Sequence, residues 1–190
     1  MHDTVIRELL HSKILSKYAQ DINTKIIDEF KINHGSSRAD VAVVNGIMHG
    51  YEIKSDFDNL DRLPSQAEAY SKIFDKVTLV LGTKHLDKAL KIIPSWWGVT
   101  LAIKNNRNLP KFEPYRRAIL NKEIDTHLLA KLLWRSEAIE VLLHKNISKS
   151  ILRQDRSSLY KEICLHYSAT EVRKIVHQKL KERKFWRGDH

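Results

Sequence analysis

The sequence has a single cysteine, Cys164, and that scarcity excludes an internal disulfide and any zinc site built on several thiolates. One free thiol also fits a reducing compartment, so a cytoplasmic setting is expected. No apolar run is long enough to cross a bilayer. The opening Met1-His2-Asp3 is not a basic stretch leading into an apolar block, so no secretory signal is expected. There is no Gly-x-Ser-x-Gly elbow and no glycine-rich loop of the kind that cradles phosphates. Serine-hydrolase and nucleotide-driven chemistry are therefore unsupported. Internal repeats and low-complexity tracts are missing as well. What remains is an ordinary globular composition, 42% hydrophobic and 29% charged, in 190 residues, enough to bury a core without covalent staples.

Acidic side chains are in the minority, and unevenly so. The chain carries a formal net charge of +10. Residues 1–109 hold 15 basic and 13 acidic side chains, and residues 110–190 hold 18 and 10, so the excess is +2 in one part and +8 in the other. A basic surface of this size points to a polyanion partner, DNA first and RNA by the same chemistry. The plainer alternative is a lysine-rich solvated surface.

Hydropathy patterning divides the chain in the same place. Val5, Ile6, Leu9, Leu10, Ile14 and Tyr18 recur at helical spacing, with Asp3 as a capping residue. Strands are expected over Thr24–Lys31, Arg38–Val44 and Met48–Ser55, the last two joined at Asn45-Gly46. A helix with Leu63, Ala67, Tyr70 and Phe74 on one stripe follows, then an apolar strand Val77–Leu81, a short helix Lys84–Ile93 and a strand Gly98–Ile103. The polar stretch 105–114, with Pro110 and Pro114, reads as a linker, and the chain beyond it reads as five helices. The expectation is an α/β fold with a mixed sheet in residues 1–108 and a basic helical region in residues 109–190.

One constellation carries chemistry. Glu52 and Lys54 are two apart on a strand and share a face because side chains alternate. Asp40 on the preceding strand is a candidate second carboxylate for a divalent cation. Hairpin parity decides whether it joins them. A two-residue turn pairing Val44 with Ile47 puts Asp40 on the opposite face. A three-residue connection pairing Val43 with Ile47 puts it on the same face. Gln66 and Tyr70 lie one turn apart on the next helix, and Glu8 sits at the margin of the first helix's apolar stripe. Asp28 and Glu29 are alternatives to Glu8. His34, Ser36, Ser37 and Arg38 form a loop suited to touching a phosphate, and plain turn duty explains it equally well.

The joint pattern Asp40, Glu52-x-Lys54, Gln66-x-x-x-Tyr70 resembles the PD-(D/E)XK nuclease superfamily, in particular its RecB-like branch, over residues 1–103. The resemblance implies a restriction-endonuclease-like α-β-β-β-α-β core and a metal-dependent deoxyribonuclease. It implies that Asp40 and Glu52, with Glu8 as a first-helix acid, bind magnesium or manganese. Lys54 would activate water, and Gln66 and Tyr70 would support the site. The rival reading is a non-catalytic or partner-dependent nucleic-acid-binding module. For holding the strand, the expected residues are Arg38, Arg62, Arg153, Arg156, Arg173 and Lys174, and the helical region is the expected substrate-binding part, with a homodimer or larger complex compatible with it. The Lys179–Arg187 segment is the densest basic patch and includes Trp186.

Overall fold

The structure, a computed structural model, describes residues 1–32, 35, 37–145 and 147–184. Six strands form one sheet: β1 (Lys25–Ile32), β2 (Ser37–Asn45), β3 (Ile47–Lys54), β4 (Lys76–Leu81), β5 (Gly98–Lys104) and β6 (Pro110–Arg116), lying side by side in chain order. The β1–β2, β2–β3 and β5–β6 pairings are antiparallel, whereas β3–β4 and β4–β5 are parallel. The helices are α1 (Asp3–Leu10), α2 (Leu63–Ser71), α3 (Leu86–Leu90), α4 (Thr126–Ala130), α5 (Arg135–Leu143), α6 (Lys149–Leu152), α7 (Arg156–His166) and α8 (Ala169–Glu182). This is the mixed α/β architecture with C-terminal helices that the patterning anticipates.

Alternation along β2 and β3 sorts the core into two layers. Val41, Val43, Tyr51 and Ile53 pack against Ile6, Leu10 and Leu15 on the α1 side. Ala42, Val44 and Met48 point the other way, into a cluster with Leu63, Tyr70 and Phe74 of the α2 segment. Both faces are covered, so β4 is apolar almost throughout, as buried parallel strands are.

The stretch expected to be a linker is strand β6, paired with β5 from Lys104↔Pro110 to Val99↔Arg116. Its prolines are tolerated because β6 is the sheet's edge, where ladder hydrogen bonds are required on one side only. The core also runs without a break across position 108: Leu129, Leu133, Leu142, Leu159, Val176 and Leu180 share one cluster with Phe30, Ala42 and Phe74. Polar links reinforce the junction. Asp75, fully buried, accepts the Met48 N–H at 2.7 Å and pairs with Arg173 of α8 at 3.1 Å. Asn121 Nδ2 donates to the Ser71 and Phe74 carbonyls at 2.7 and 3.1 Å.

The β2–β3 connection is neither of the two expected. Asn45 pairs with Ile47, Gly46 alone forms the tip, and the register continues to Val41↔Tyr51. Gly46 adopts φ 66°, a left-handed conformation that costs glycine little. The register keeps the even parity of the odd-length turn, so Asp40 shares a face with Glu52 and Lys54.

Candidate functional site

Beyond Val41↔Tyr51 the β2–β3 pairing stops, although β2 stays paired to β1 and β3 to β4. The Asp40 side chain fills the gap: its Oδ2 accepts the Ile53 N–H at 2.6 Å, a backbone donor the ladder would otherwise satisfy. The divergence opens a cleft of about 550 Å³, lined by Asp40, Glu52, Lys54, Gln66, Arg38 and Arg62 among others.

Glu52 lies at its floor, 2% exposed. Its Oε1 accepts from Lys54 Nζ and from Gln66 Nε2, both at 2.6 Å, and its Oε2 from the Tyr70 hydroxyl at 2.6 Å. Tyr70 also reaches the Arg38 carbonyl at 2.5 Å and stacks on Trp97 with ring centroids 5.8 Å apart. One hydroxyl thus ties α2 to both diverging strands. Burial raises the Glu52 carboxyl above its ordinary range, and the Asp40 charge adds to the shift, against Lys54 and Tyr70, which lower it. Burial likewise raises the Tyr70 phenol, with the Glu52 charge reinforcing it. Gln66 Oε1 has no hydrogen-bond partner among the described residues.

Arg7 of α1 organises the rim and is absent from the expected site residues. Its guanidinium donates to Asp40 Oδ1 at 2.9 Å and to the Asp40 carbonyl at 3.1 Å, and pairs with Glu29 at 3.1 Å. Glu29 also pairs with Arg38 at 2.7 Å, from a backbone held at φ 54°. A left-handed non-glycine residue inside a strand costs roughly 1–2 kcal/mol, and the two arginines hold it there. The available signal was that Asp3 and Arg7 are i and i+4 on α1, and Asp3 too lines the cleft.

Of the expected site residues, Asp40, Glu52, Lys54, Gln66 and Tyr70 converge. Glu8 does not: it is exposed on α1 and outside the cleft lining, because Asp3 and Arg7 occupy the helix edge that faces the sheet end. The set Asp40, Glu52 and Glu8 is therefore not brought together. As folded, the oxygens of Asp40 and Glu52 accept from Arg7, Ile53, Lys54, Gln66 and Tyr70, and among the described residues no group of three or more His, Cys, Asp or Glu is placed to hold a metal ion.

The basic residues fall into three settings. Arg38 and Arg62 sit at the mouth of the cleft. Arg153, Arg156 and Lys174 are exposed on the helical part. Arg173 is instead a structural cation, committed to Asp75. Arg183 is buried, pairs with Glu137 at 2.6 Å and lies 4.4 Å over the Trp134 ring, and Lys179 pairs with Glu140 at 2.6 Å, so much of the expected basic tail belongs to the fold. His34, Ser36, Trp186 and Arg187 lie outside the described residues. Among the described residues no helix is long and apolar enough to cross a membrane.

Together, fold and cleft define a mixed α/β protein with a buried, hydrogen-bonded polar network at one end of its sheet. The family model described as bacteriophage P4 protein cII matches residues 3–189, and the chain belongs to that family. It is similar to protein cII of Enterobacteria phage P4, with 32% identity over 125 residues, 66% of this chain and 47% of the relative. The chain thus spans about half the length of that curated relative. No solved structure matches. Membership of this family overturns the resemblance to the PD-(D/E)XK superfamily, and the metal-dependent deoxyribonuclease activity, hydrolase class and metal binding inferred from it fall with it. The physical reason for the misreading is plain. Asp, Glu-x-Lys and Gln-x-x-x-Tyr specify residues that share a face and meet, and a buried hydrogen-bonded ion pair needs the same spacing.

Proposed function

We propose that this chain is a nucleic-acid-binding protein, with DNA as its partner in the cytoplasm and the helical part as its principal contact surface. The observation that carries this reading is that Arg153, Arg156 and Lys174 are exposed and make no ion pair among the described residues, in a region with a net charge of +8. Arg135 donates to the Leu152 and Gln154 carbonyls at 3.2 and 2.9 Å, fixing the α6–α7 corner on which Arg153 and Arg156 stand. A fixed corner with uncompensated guanidiniums is suited to phosphate oxygens, because binding releases counterions without first breaking internal pairs.

The test is fluorescence anisotropy with a labelled duplex across a salt series, with RNA as competitor. Arg153→Ala/Arg156→Ala is expected to weaken binding and lower the salt slope by about 1.8, on the basis of roughly 0.9 for each phosphate no longer neutralised. Wild type that fails to bind at low salt, or an unchanged slope in the variant, contradicts the proposal. Sedimentation of the complex reports whether the bound species is a homodimer or larger.

A further inference from the structure

The hairpin joining β5 and β6 takes no part in the core. Its residues from Lys104 to Lys111 are exposed, apart from Asn105, which is half-buried. It is nevertheless tightly built. The Asn105 N–H donates to the Leu109 carbonyl and the Asn108 N–H to the Asn105 carbonyl, both at 2.8 Å. Asn105 Oδ1 accepts the Arg107 and Leu109 N–H groups, both at 2.9 Å. Asn108 closes the turn at φ 58°, a conformation asparagine tolerates better than most residues. This scaffold presents Lys104, Arg107 and Lys111 around a shallow concavity of about 450 Å³. Lys104 and Arg107 make no ion pair among the described residues, and Lys111 has only Glu113, 3.4 Å away and also exposed.

Topology places this hairpin. β1, β3, β4 and β5 run in the same direction, so the C-terminal end of β5 lies at the end of the sheet where Lys54 ends β3 and the cleft opens. Arg62 at the cleft mouth, in the segment that follows β3, and the hairpin cations therefore share one sheet end. The B-DNA major groove is about 12 Å wide and admits a two-stranded β-ribbon.

We propose that the β5–β6 hairpin is a second DNA-contacting element, a rigid cationic ribbon whose tip enters the major groove while Arg62 meets the flanking backbone. This rests on the nucleic-acid reading above and adds a surface and a groove to it. Lys104 and Lys111 flank the ribbon and face phosphates on the groove walls. Arg107 at the tip, with Asn106 and Leu109 beside it, faces base edges.

The experiment measures duplex affinity for wild type, Lys104→Ala/Arg107→Ala/Lys111→Ala, a charge-matched Lys72→Ala/Lys88→Ala/Lys91→Ala control, and Arg153→Ala/Arg156→Ala, each checked for an unchanged thermal melt. The hairpin variant is expected to lose at least about tenfold in affinity and about 2–3 in salt slope, with the control within about twofold of wild type. Asn105→Ala removes no charge and is expected to weaken binding several-fold by loosening the turn. A major-groove ligand should compete with wild type and do so less against the hairpin variant. Wild-type affinity in the hairpin variant, alongside a loss in Arg153→Ala/Arg156→Ala, overturns the hairpin proposal alone. Equal losses in the hairpin and control triples overturn it too, because net charge and not placement would be responsible. Wild type without DNA affinity overturns both readings.

Discussion

The cleft at the end of β3 and the corner between α6 and α7 both present arginine and lysine, but the cations meet different fates. In the cleft Lys54 is 5% exposed and bound to Glu52, and Arg7 is half-buried and bound to Asp40. At the corner Arg153 and Arg156 stand in solvent. Charges withdrawn from water must be paired, and once paired they fix geometry at little net gain in stability. Charges left in water contribute little to folding and remain available to a ligand. The helical part obeys the same rule within itself: Arg183 and Arg173 are buried or half-buried and paired, whereas Lys174 is exposed and makes no ion pair among the described residues.

The largest effects should come from breaking paired, buried cations. Lys54→Met leaves Glu52 without its cation, and Arg183→Met removes the guanidinium that donates to Glu137 and to the Leu132 carbonyl. Each is expected to cost about 3–5 kcal/mol in urea unfolding, whereas Arg153→Ala stays within about 0.5 kcal/mol. A cost below about 1 kcal/mol for Lys54→Met would erase the contrast between the two regions.

Acidity should separate them next. Glu52 has a raised carboxyl, mainly through burial, so the folded state favours its proton. The stability it contributes is full below the ordinary carboxylate range and is lost as pH rises through the higher folded value. His177 is lowered, mainly through burial, against the opposing Asp75 charge. Its contribution is full above the ordinary histidine value of about 6.5 and is lost as pH falls through the lower folded value. Unfolding measured across pH should therefore show Glu52→Gln flattening the decline on the rising side and His177→Gln flattening the decline on the acid side. Identical pH profiles for the two variants would break the comparison.

Smaller effects sharpen it at the rim. Arg7→Ala removes the partner of Asp40 and Glu29 and is expected to cost about 1–2 kcal/mol, of the order of the left-handed strain it helps hold at Glu29. Glu8→Ala, one residue along the same helix but exposed, should shift stability by less than about 0.5 kcal/mol. Thermal melts of the pair are sufficient, and equal shifts would mean that α1 does not present Arg7 to the cleft as described.

Much of this was legible beforehand, for identifiable reasons. The five C-terminal helices fall where leucine, isoleucine and valine recur at helical spacing. The three-strand meander falls where short runs rich in valine and isoleucine flank the Asn45-Gly46 turn signal. Asp40, Glu52, Lys54, Gln66 and Tyr70 were found because each spacing fixes a face: two along a strand, four along a helix. β6 was missed because Pro110 and Pro114 argue against a strand unless it is known to be an edge, and edge position is a property of the whole sheet. Arg7 was missed because its partners Glu29 and Asp40 are distant in sequence and converge only where β2 and β3 diverge.

By itself the sequence determined the class of fold, the helices and most strands, the shared face of Glu52 and Lys54 and the uneven charge, because periodicity and composition act over short stretches of chain. Tertiary structure alone decided which charges are committed to the fold. Arg173 and Arg183 were indistinguishable from Arg153 and Arg156 as letters, and became structural because packing took them out of water beside Asp75 and Glu137. It also decided that the Asp40 and Glu52 oxygens accept hydrogen bonds from donors on α1, β3 and α2. A carboxylate's availability depends on what surrounds it in space, and spacing along the chain does not record that.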